Sequence, residues 1–210
     1  MNGAVVREQV LATARSMSGH GLNQGTSGNV SARDGKGFWI TPSALPYDQC
    51  APEDMVWLDW AGQARGRRKP SSEWRMHADI YRVFPQTGAI LHAHSPCCTT
   101  LACLERSIPA FHYMVAVAGG DSIRCAAYAT FGTQALSDTA IAALRDRSAA
   151  LLAHHGMICH AADLNRVLAL AIEVEMLARM YLQALAVAEP PVLPPAEMAE
   201  VVRRFKDYRP

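Results

Sequence analysis

Along this chain the spacing of apolar positions changes from segment to segment, and the changes outline the elements. From residue 4 to 18, Val6, Val10, Leu11, Ala14 and Met17 fall on one helical face, and Gly19 and Gly21 mark the end of that helix. "QGTSGNVSAR" (24–33) is a glycine-rich turn running into a strand, and "GFWIT" (37–41) and "MVWLD" (55–59) read as further strands. "KPSSEWRMHADIYRVFP" (69–85) predicts a helix capped by Ser71 or Ser72 and ended before Pro85. "GAILHAH" (88–94) predicts a buried strand and "SIRCAAYA" (122–129) another. A helix over 133–146 follows, and "SAALLAHHGMICH" (148–160) then supplies one or two strands broken at Gly156. Asp163 is placed to cap the longest helix, about 164–187, whose core face runs from Leu164 through Val167, Leu168, Ala171, Val174, Leu177 and Tyr181 to Leu185. "EPPVLPP" (189–195) is a stiff connector ahead of a short last helix over 196–208.

Strands and helices mix without a regular βαβ series, which favours a sheet with antiparallel parts over an all-parallel one. The proline connector lies too near the C-terminus to separate two folding units, so one domain over 1–210 is expected. Half the residues are hydrophobic and 19% are charged, a globular composition, and the formal charge is only +1. The single basic cluster, "RGRRK" (65–69), sits between Gly and Pro and reads as a solvated loop; without a basic stripe or stacking aromatics it gives no reason to expect nucleic-acid binding. No run of about 18 uncharged apolar residues occurs, so no membrane span is expected. The first residues lack the basic start, apolar core and cleavage site of a signal peptide, and the six cysteines show no CxxC spacing. Reduced thiols and a cytoplasmic location are the expectation.

The histidines bring in chemistry. In a strand, residues i and i+2 share a side, so His92 and His94 project together. By itself HxH is a weak signal. His154 and His155 form a second pair before Gly156, and strand alternation predicts that only one of them faces the pocket of the first pair. Glu73, at the first turn of its helix, is the carboxylate candidate. Three imidazoles and one carboxylate suit Zn²⁺, with Co²⁺ or Mn²⁺ as alternatives. "GTSGN" lacks the lysine of a P-loop, yet Ser71 and Ser72 at a helix N-terminus and "TPS" (41–43) add two more hydroxyl-bearing turns. Three such loops beside a metal would fit a phosphorylated small molecule.

The motifs "GLNQGTSGNVS", "ITPS", "PSSEWRMH", "HAHS", "IPAFHYMVAVAGG", "YATFGT" and "HHGMI" resemble the class II aldolase/adducin family in order and spacing, from residue 20 to the C-terminus. The resemblance implies an α/β/α sandwich around a mainly antiparallel central sheet, and a homo-oligomer, a C4 tetramer, with sites between neighbouring subunits. It implies His92, His94 and His155 as zinc ligands, His154 as the neighbour on the opposite face, and Glu73 as a zinc ligand that also serves as acid/base. Asn29, Ser43, Ser71 and Ser72 then match a phosphate pocket shaped by Thr26 and Gly28. Tyr113 matches a tyrosine reaching the substrate from the adjacent subunit, Phe131 lines the aldehyde side, and Tyr208 matches a mobile C-terminal tyrosine. Ala44 departs from the family's glycine after "TPS", and its Cβ is expected to disturb a phosphate contact or to prevent a positive φ.

The activity implied is cleavage of a ketose 1-phosphate to dihydroxyacetone phosphate and a small aldehyde. The implied substrate is of the L-fuculose 1-phosphate type, with 5-deoxyribulose 1-phosphate and 5-methylthioribulose 1-phosphate as alternatives. A Lewis acid stabilises the charge left on the phosphorylated half, and a neighbouring carboxylate moves the carbon-bound proton. The lysine Schiff-base route is disfavoured, since Lys36, Lys69 and Lys206 lie outside any apolar run. A dehydratase or a 4-epimerase on the same fold is the main alternative, and Tyr113, Phe131 and Tyr208 together favour the aldolase. A non-enzymatic adducin-like role is disfavoured by the intact metal set.

Overall fold

The structure is a computed structural model that describes residues 3–207. It opens on helix α1 (Gly3–Gly19), followed by strands β1 (Asn29–Asp34), β2 (Gly37–Ile40), β3 (Val56–Asp59) and β4 (Ala64–Arg65). Helix α2 (Trp74–Val83) leads into β5 (Ala89–Ala93), α3 (Pro96–Cys103) and β6 (Arg124–Ala126). Then come α4 (Gln134–Ala143), β7 (Ala149–Leu152), β8 (Gly156–Ala161), α5 (Leu164–Leu185) and α6 (Pro195–Asp207). The strands form one eight-stranded sheet in the order β4-β3-β2-β1-β5-β8-β7-β6. Only the β6/β7 pair is parallel. The α/β fold around a mostly antiparallel sheet is the one expected.

Strand alternation divides the core in two. On β5, Ala89, Leu91 and Ala93 pack with residues of α1, α3 and α5, while Ile90 faces the other side with Met76, Ala78 and Ile80 of α2 and Leu136 and Ala140 of α4. Burying each large aliphatic chain of these layers stabilises the fold by about 1.5–3 kcal/mol. His92 shares the Ile90 parity, so the sheet presents it to the α2 side. Across the ladder His92 pairs with Asn29 of β1 and Ile158 of β8.

Several elements differ from the sequence reading. Helix α2 starts at Trp74, with Glu73 at the N-cap position in a non-helical conformation (φ −99°, ψ 12°). Ser71 still caps the turn ahead of it: its hydroxyl accepts from Glu73 N at 3.3 Å and its carbonyl from Trp74 N at 3.1 Å. Helix α3 was not anticipated, and Cys97 and Cys98 lie in its first turn. Their backbone N–H groups donate to the Glu175 carboxylate of α5 at 2.8 and 2.9 Å, with Ser95 Oγ donating at 2.6 Å. A carboxylate from another helix thus neutralises the open donors of α3. The basic cluster is more than a solvated loop. Arg67 and Arg68 both bind the buried Asp54 carboxylate, at 2.9 and 2.7 Å, which holds its pKa well below the usual carboxylate range.

Candidate active site and metal centre

Glu73, His92, His94 and His155 converge from the N-cap of α2, from β5, from the residue just past β5, and from the β7–β8 turn. Their ligand atoms all lie within 4.8 Å of one another. The three imidazoles surround a common centre, with ring centroids 4.7–4.8 Å apart and planes at 69–75°. Nε2 of His92 lies 2.9 Å from Nε2 of His94 and 3.2 Å from Oε2 of Glu73, and Nε2 of His155 lies 3.3 Å from Oε1 of Glu73.

The protonation states show that this cluster wants a cation. His92 Nδ1 lies 2.8 Å from the Met157 carbonyl, which can only accept, so Nδ1 carries the proton and Nε2 turns a lone pair inward. Burial lowers the pKa of His92 and His94 and pushes that of His155 down to about 4, so all three are neutral near pH 7. Burial alone would raise the Glu73 carboxyl, but attraction to His92 and His155 whenever those rings take up a proton, with the Asn29 amide hydrogen bond, outweighs it and holds the group below its ordinary value. The His92 lone pair and the Glu73 carboxylate, 3.2 Å apart, repel one another without a positive charge between them. Glu73 Oε1 is also buried with no hydrogen-bond partner. A tetrahedral ion with bonds near 2.0–2.1 Å needs ligand atoms roughly 3.3 Å apart, and three pairs stand at 2.9–3.3 Å within a set spanning up to 4.8 Å. The residues therefore fit a divalent metal.

The hydroxyl-bearing loops converge on the same centre. An isolated bridge between Pro42 and Pro70 ties "TPS" to "PSS", with Ser43 N donating to Lys69 O at 3.0 Å and Ser71 N to Thr41 O at 3.1 Å. Thr26, Gly28, Asn29, Ser43, Ser71 and Ser72 all line one cleft of about 330 Å³, and Glu73, His94 and His155 line it as well. The loop of Thr26 and Gly28 is held tightly. Gly28 has φ +74°, and a Cβ there would meet the Asn23 side chain at 2.4 Å and the His92 carbonyl at 2.7 Å. Tyr47, kept protonated by burial with a pKa near 12, donates to the Gly28 carbonyl at 2.8 Å.

Ala44 lines the cleft too, and it takes a positive φ of 56° despite its Cβ. The expectation that alanine would prevent this conformation is not met; the residue is strained instead. Ala44 is exposed, so little packing is lost on trimming it. Ala44→Gly is expected to stabilise the protein by roughly 1 kcal/mol, a rise of about 2–4 °C in Tm by calorimetry. An unchanged or lower Tm would show that the strain is relieved locally.

One histidine assignment changes. His154 was placed on the opposite strand face, but Ala153, His154 and His155 form the β7–β8 turn, where strand alternation does not apply. His154 has φ 54° and lines the same cleft, with its ring 3.0 Å from Glu105 Oε1 and edge-on to Tyr128. His77 is fully buried and hydrogen-bonded to Asn29 and Ser31, one step behind Glu73. Of the aromatic candidates, Phe131 lines the cleft together with Tyr128 and Ala129, all from the segment between β6 and α4. Tyr113 is half exposed and lines a separate cleft with Val201 and Phe205 of α6, so the fold of one chain does not carry it to Glu73. Tyr208 lies outside the described residues.

Residues 8–182 match the family described as Class II Aldolase and Adducin N-terminal domain. The chain is 52% identical over 203 residues to a 5-methylthioribulose-1-phosphate/5-deoxyribulose-1-phosphate aldolase of Rhodospirillum rubrum, covering 97% of this chain and 92% of that protein. It is 47% identical over 201 residues to an L-fuculose phosphate aldolase of Escherichia coli, with 95% and 94% covered. A solved structure of L-fuculose 1-phosphate aldolase matches with a TM-score of 0.93 at 39% identity over 96% of each chain. The chain belongs to the class II aldolase and adducin family. It is an enzyme, a lyase of the aldolase kind; aldolases of this class depend on a metal, and Glu73, His92, His94 and His155 form a group that can hold one. Among the described residues no helix is long and apolar enough to cross a membrane.

Proposed function

We propose that this enzyme is a zinc-dependent aldolase that cleaves a ketose 1-phosphate to dihydroxyacetone phosphate and a small aldehyde. The observation that carries the reading is the Glu73 carboxylate, 3.2–3.3 Å from two inward-facing imidazole nitrogens in the cleft where the three hydroxyl loops meet. Co²⁺ or Mn²⁺ would satisfy the same nitrogen and oxygen donors. When bound, the ion supplies the Lewis acidity that the charge on the dihydroxyacetone phosphate half requires.

The chain's own residues do the rest. Ser43, Ser71, Ser72 and Asn29, on a loop shaped by Thr26 and Gly28, anchor the phosphate, so binding energy far from the reacting carbons fixes their position. In the condensation direction the ionised Glu73 takes the proton from the carbon beside the carbonyl, and the Tyr113 hydroxyl gives its proton to the aldehyde oxygen as the C3–C4 bond forms; solvent then carries the proton from Glu73 to the tyrosine oxygen, and cleavage runs these steps backwards. Tyr113 is assigned the hydroxyl proton. Because it lies outside the cleft of its own chain, the assignment goes with a homo-oligomer, a C4 tetramer, in which a neighbouring copy brings its tyrosine to the site. Phe131 and Tyr208 complete the aldehyde side. The names of the relatives point to a short, deoxygenated or thioether aldehyde half, and Tyr128, Ala129 and Phe131 give the cleft an apolar wall suited to it. A cytoplasmic location is part of this reading.

Parallel incubations with L-fuculose, L-rhamnulose, 5-deoxyribulose and 5-methylthioribulose 1-phosphates test it. Dihydroxyacetone phosphate, detected by a coupled reductase, is the expected product. A dehydrated sugar or a C4 epimer instead would move the enzyme to another reaction on this fold. An active monomer in sedimentation would contradict the placement of Tyr113.

A further inference from the structure

Behind the cleft a line of buried polar groups runs back from Glu73 and Asn29 through His77 and Ser31 to Tyr81, and none of these steps uses the last three. Glu73, His77 and Tyr81 recur at i, i+4 and i+8, so they share one face of the α2 segment. Asn29 and Ser31, at i and i+2, share the face of β1 that looks at it. Together they make an unbroken chain: Tyr81 OH to Ser31 Oγ at 2.9 Å, Ser31 Oγ to His77 Nδ1 at 2.7 Å, His77 Nε2 to Asn29 Oδ1 at 2.6 Å, and Asn29 Nδ2 to Glu73 Oε2 at 2.9 Å. His77 and Ser31 are 0% exposed, Tyr81 1% and Asn29 2%, so water does not compete for these bonds.

Chemistry sets the direction of every link. An ionised carboxylate only accepts, so the Asn29 atom facing it must be the NH₂. The Asn29 carbonyl oxygen then faces His77, and Nε2 must carry the proton that it accepts. Burial pushes the His77 pKa down to about 3, so the ring is neutral and has a single N–H. Nδ1 is therefore an acceptor, Ser31 donates to it, and Tyr81 donates to Ser31. All four donors point toward Glu73, and each bond polarises the next. The Asn29 amide is the sole hydrogen-bond donor to the Glu73 side chain among the described residues.

We propose that His77 is a positioning residue: it fixes the direction of the Asn29 carboxamide, so that an N–H and not a carbonyl oxygen meets Glu73. Without that constraint the amide can turn over and set its oxygen against the carboxylate, which displaces Glu73 from its place beside the imidazoles. The proposal rests on the acid/base reading of Glu73 and adds the device that aims it.

Three measurements on the zinc-loaded enzyme test the idea. First, ¹⁵N NMR of histidine-labelled protein should show His77 as the Nε2–H tautomer, its signal assigned by its loss in His77→Gln. An Nδ1–H tautomer would reverse the chain and overturn the proposal. Second, His77→Leu should lower kcat at least tenfold, with KM for the ketose phosphate within about threefold and metal still bound at one ion per chain. His77→Gln, which can accept from Ser31 and donate to Asn29, should recover most of the loss. Equal kcat in wild type, Leu and Gln variants would leave His77 only a packing role and sink the proposal. Third, Ser31→Ala, a smaller change in case the Leu variant does not fold, should lower kcat several-fold at unchanged KM; an unaltered kcat there counts against the proposal as well. An inactive Glu73→Gln beside a fully active His77→Leu would discard the positioning role alone and keep the role of Glu73. An active Glu73→Gln would discard the role of Glu73, while the tautomer still reports the direction of the bonds.

Discussion

Glu73→Gln should lower kcat by roughly 10²–10⁴-fold while the protein keeps its metal. The substitution retains shape and leaves an oxygen able to accept from Asn29, at present 2.9 Å from Glu73 Oε2. Three imidazoles remain, enough to hold a zinc ion in a site of this kind. The amide, however, cannot take up a proton from carbon or return one. Metal content by atomic emission, together with turnover on the best ketose 1-phosphate, separates the two effects. Turnover near that of wild type would remove Glu73 from the acid/base role. Loss of metal in step with activity would instead make it chiefly a ligand.

Stripping the metal should abolish turnover and lower stability. Dialysis against a chelator is expected to leave under about 1% of activity, recovered by one equivalent of Zn²⁺ per chain and in part by Co²⁺ or Mn²⁺. An ion present at about 100 times its Kd stabilises by roughly 2.7 kcal/mol, so the metal-free protein should melt about 5–10 °C lower. Activity that survives a chelator which has demonstrably removed the ion would refute the metal-dependent reading.

The metal-free protein should also become acid-sensitive, and the sign follows from its histidines. His77 and His155 have folded pKa values near 3 and 4, below the value near 6.5 of an unfolded chain. Between pH 6.5 and 4 the unfolded chain binds protons that the folded one refuses, so stability falls as pH drops through that window. A melting temperature constant from pH 7 to 4 would contradict the buried, neutral state of these rings.

Much of this architecture is legible in the sequence because period and burial agree. The core face read for the longest helix is the face that packs: Val167, Ala171, Val174, Leu177 and Tyr181 are buried, and Asp163 caps it by accepting from Arg166 N. The HxH pair was readable because strand parity is a local rule. The same rule misled at His154, where the chain had already left the strand and a positive φ turned the ring back toward the cleft. Helix α3 was missed although Ser95 and Pro96 form an N-cap and N1 pair, because the helix has only eight residues and its N–H groups are satisfied by Glu175 of α5. Convergence of two of the three hydroxyl loops depends on the Pro42–Pro70 bridge, a tertiary contact between segments that carry no mutual signal. The role of His77 was open to a reader who set the spacing of 73, 77 and 81 beside that of 29 and 31. Nothing local says that those two polar faces meet, because polar residues on a helix face more often mark its solvent side.

The aromatic wall of the cleft has a consequence for how such an enzyme diversifies. Tyr128, Ala129 and Phe131 belong to one short segment between β6 and α4, and that segment supplies none of the four metal-binding side chains and none of the three hydroxyl loops. On the proposed reading, preference for the aldehyde half can therefore drift by substitution at residues 128, 129 and 131 while Gly132, packed near the Ser72 carbonyl, and Thr133, the cap of α4, stay fixed. A library confined to those three positions is the economical place to retune the enzyme toward bulkier or more polar aldehydes.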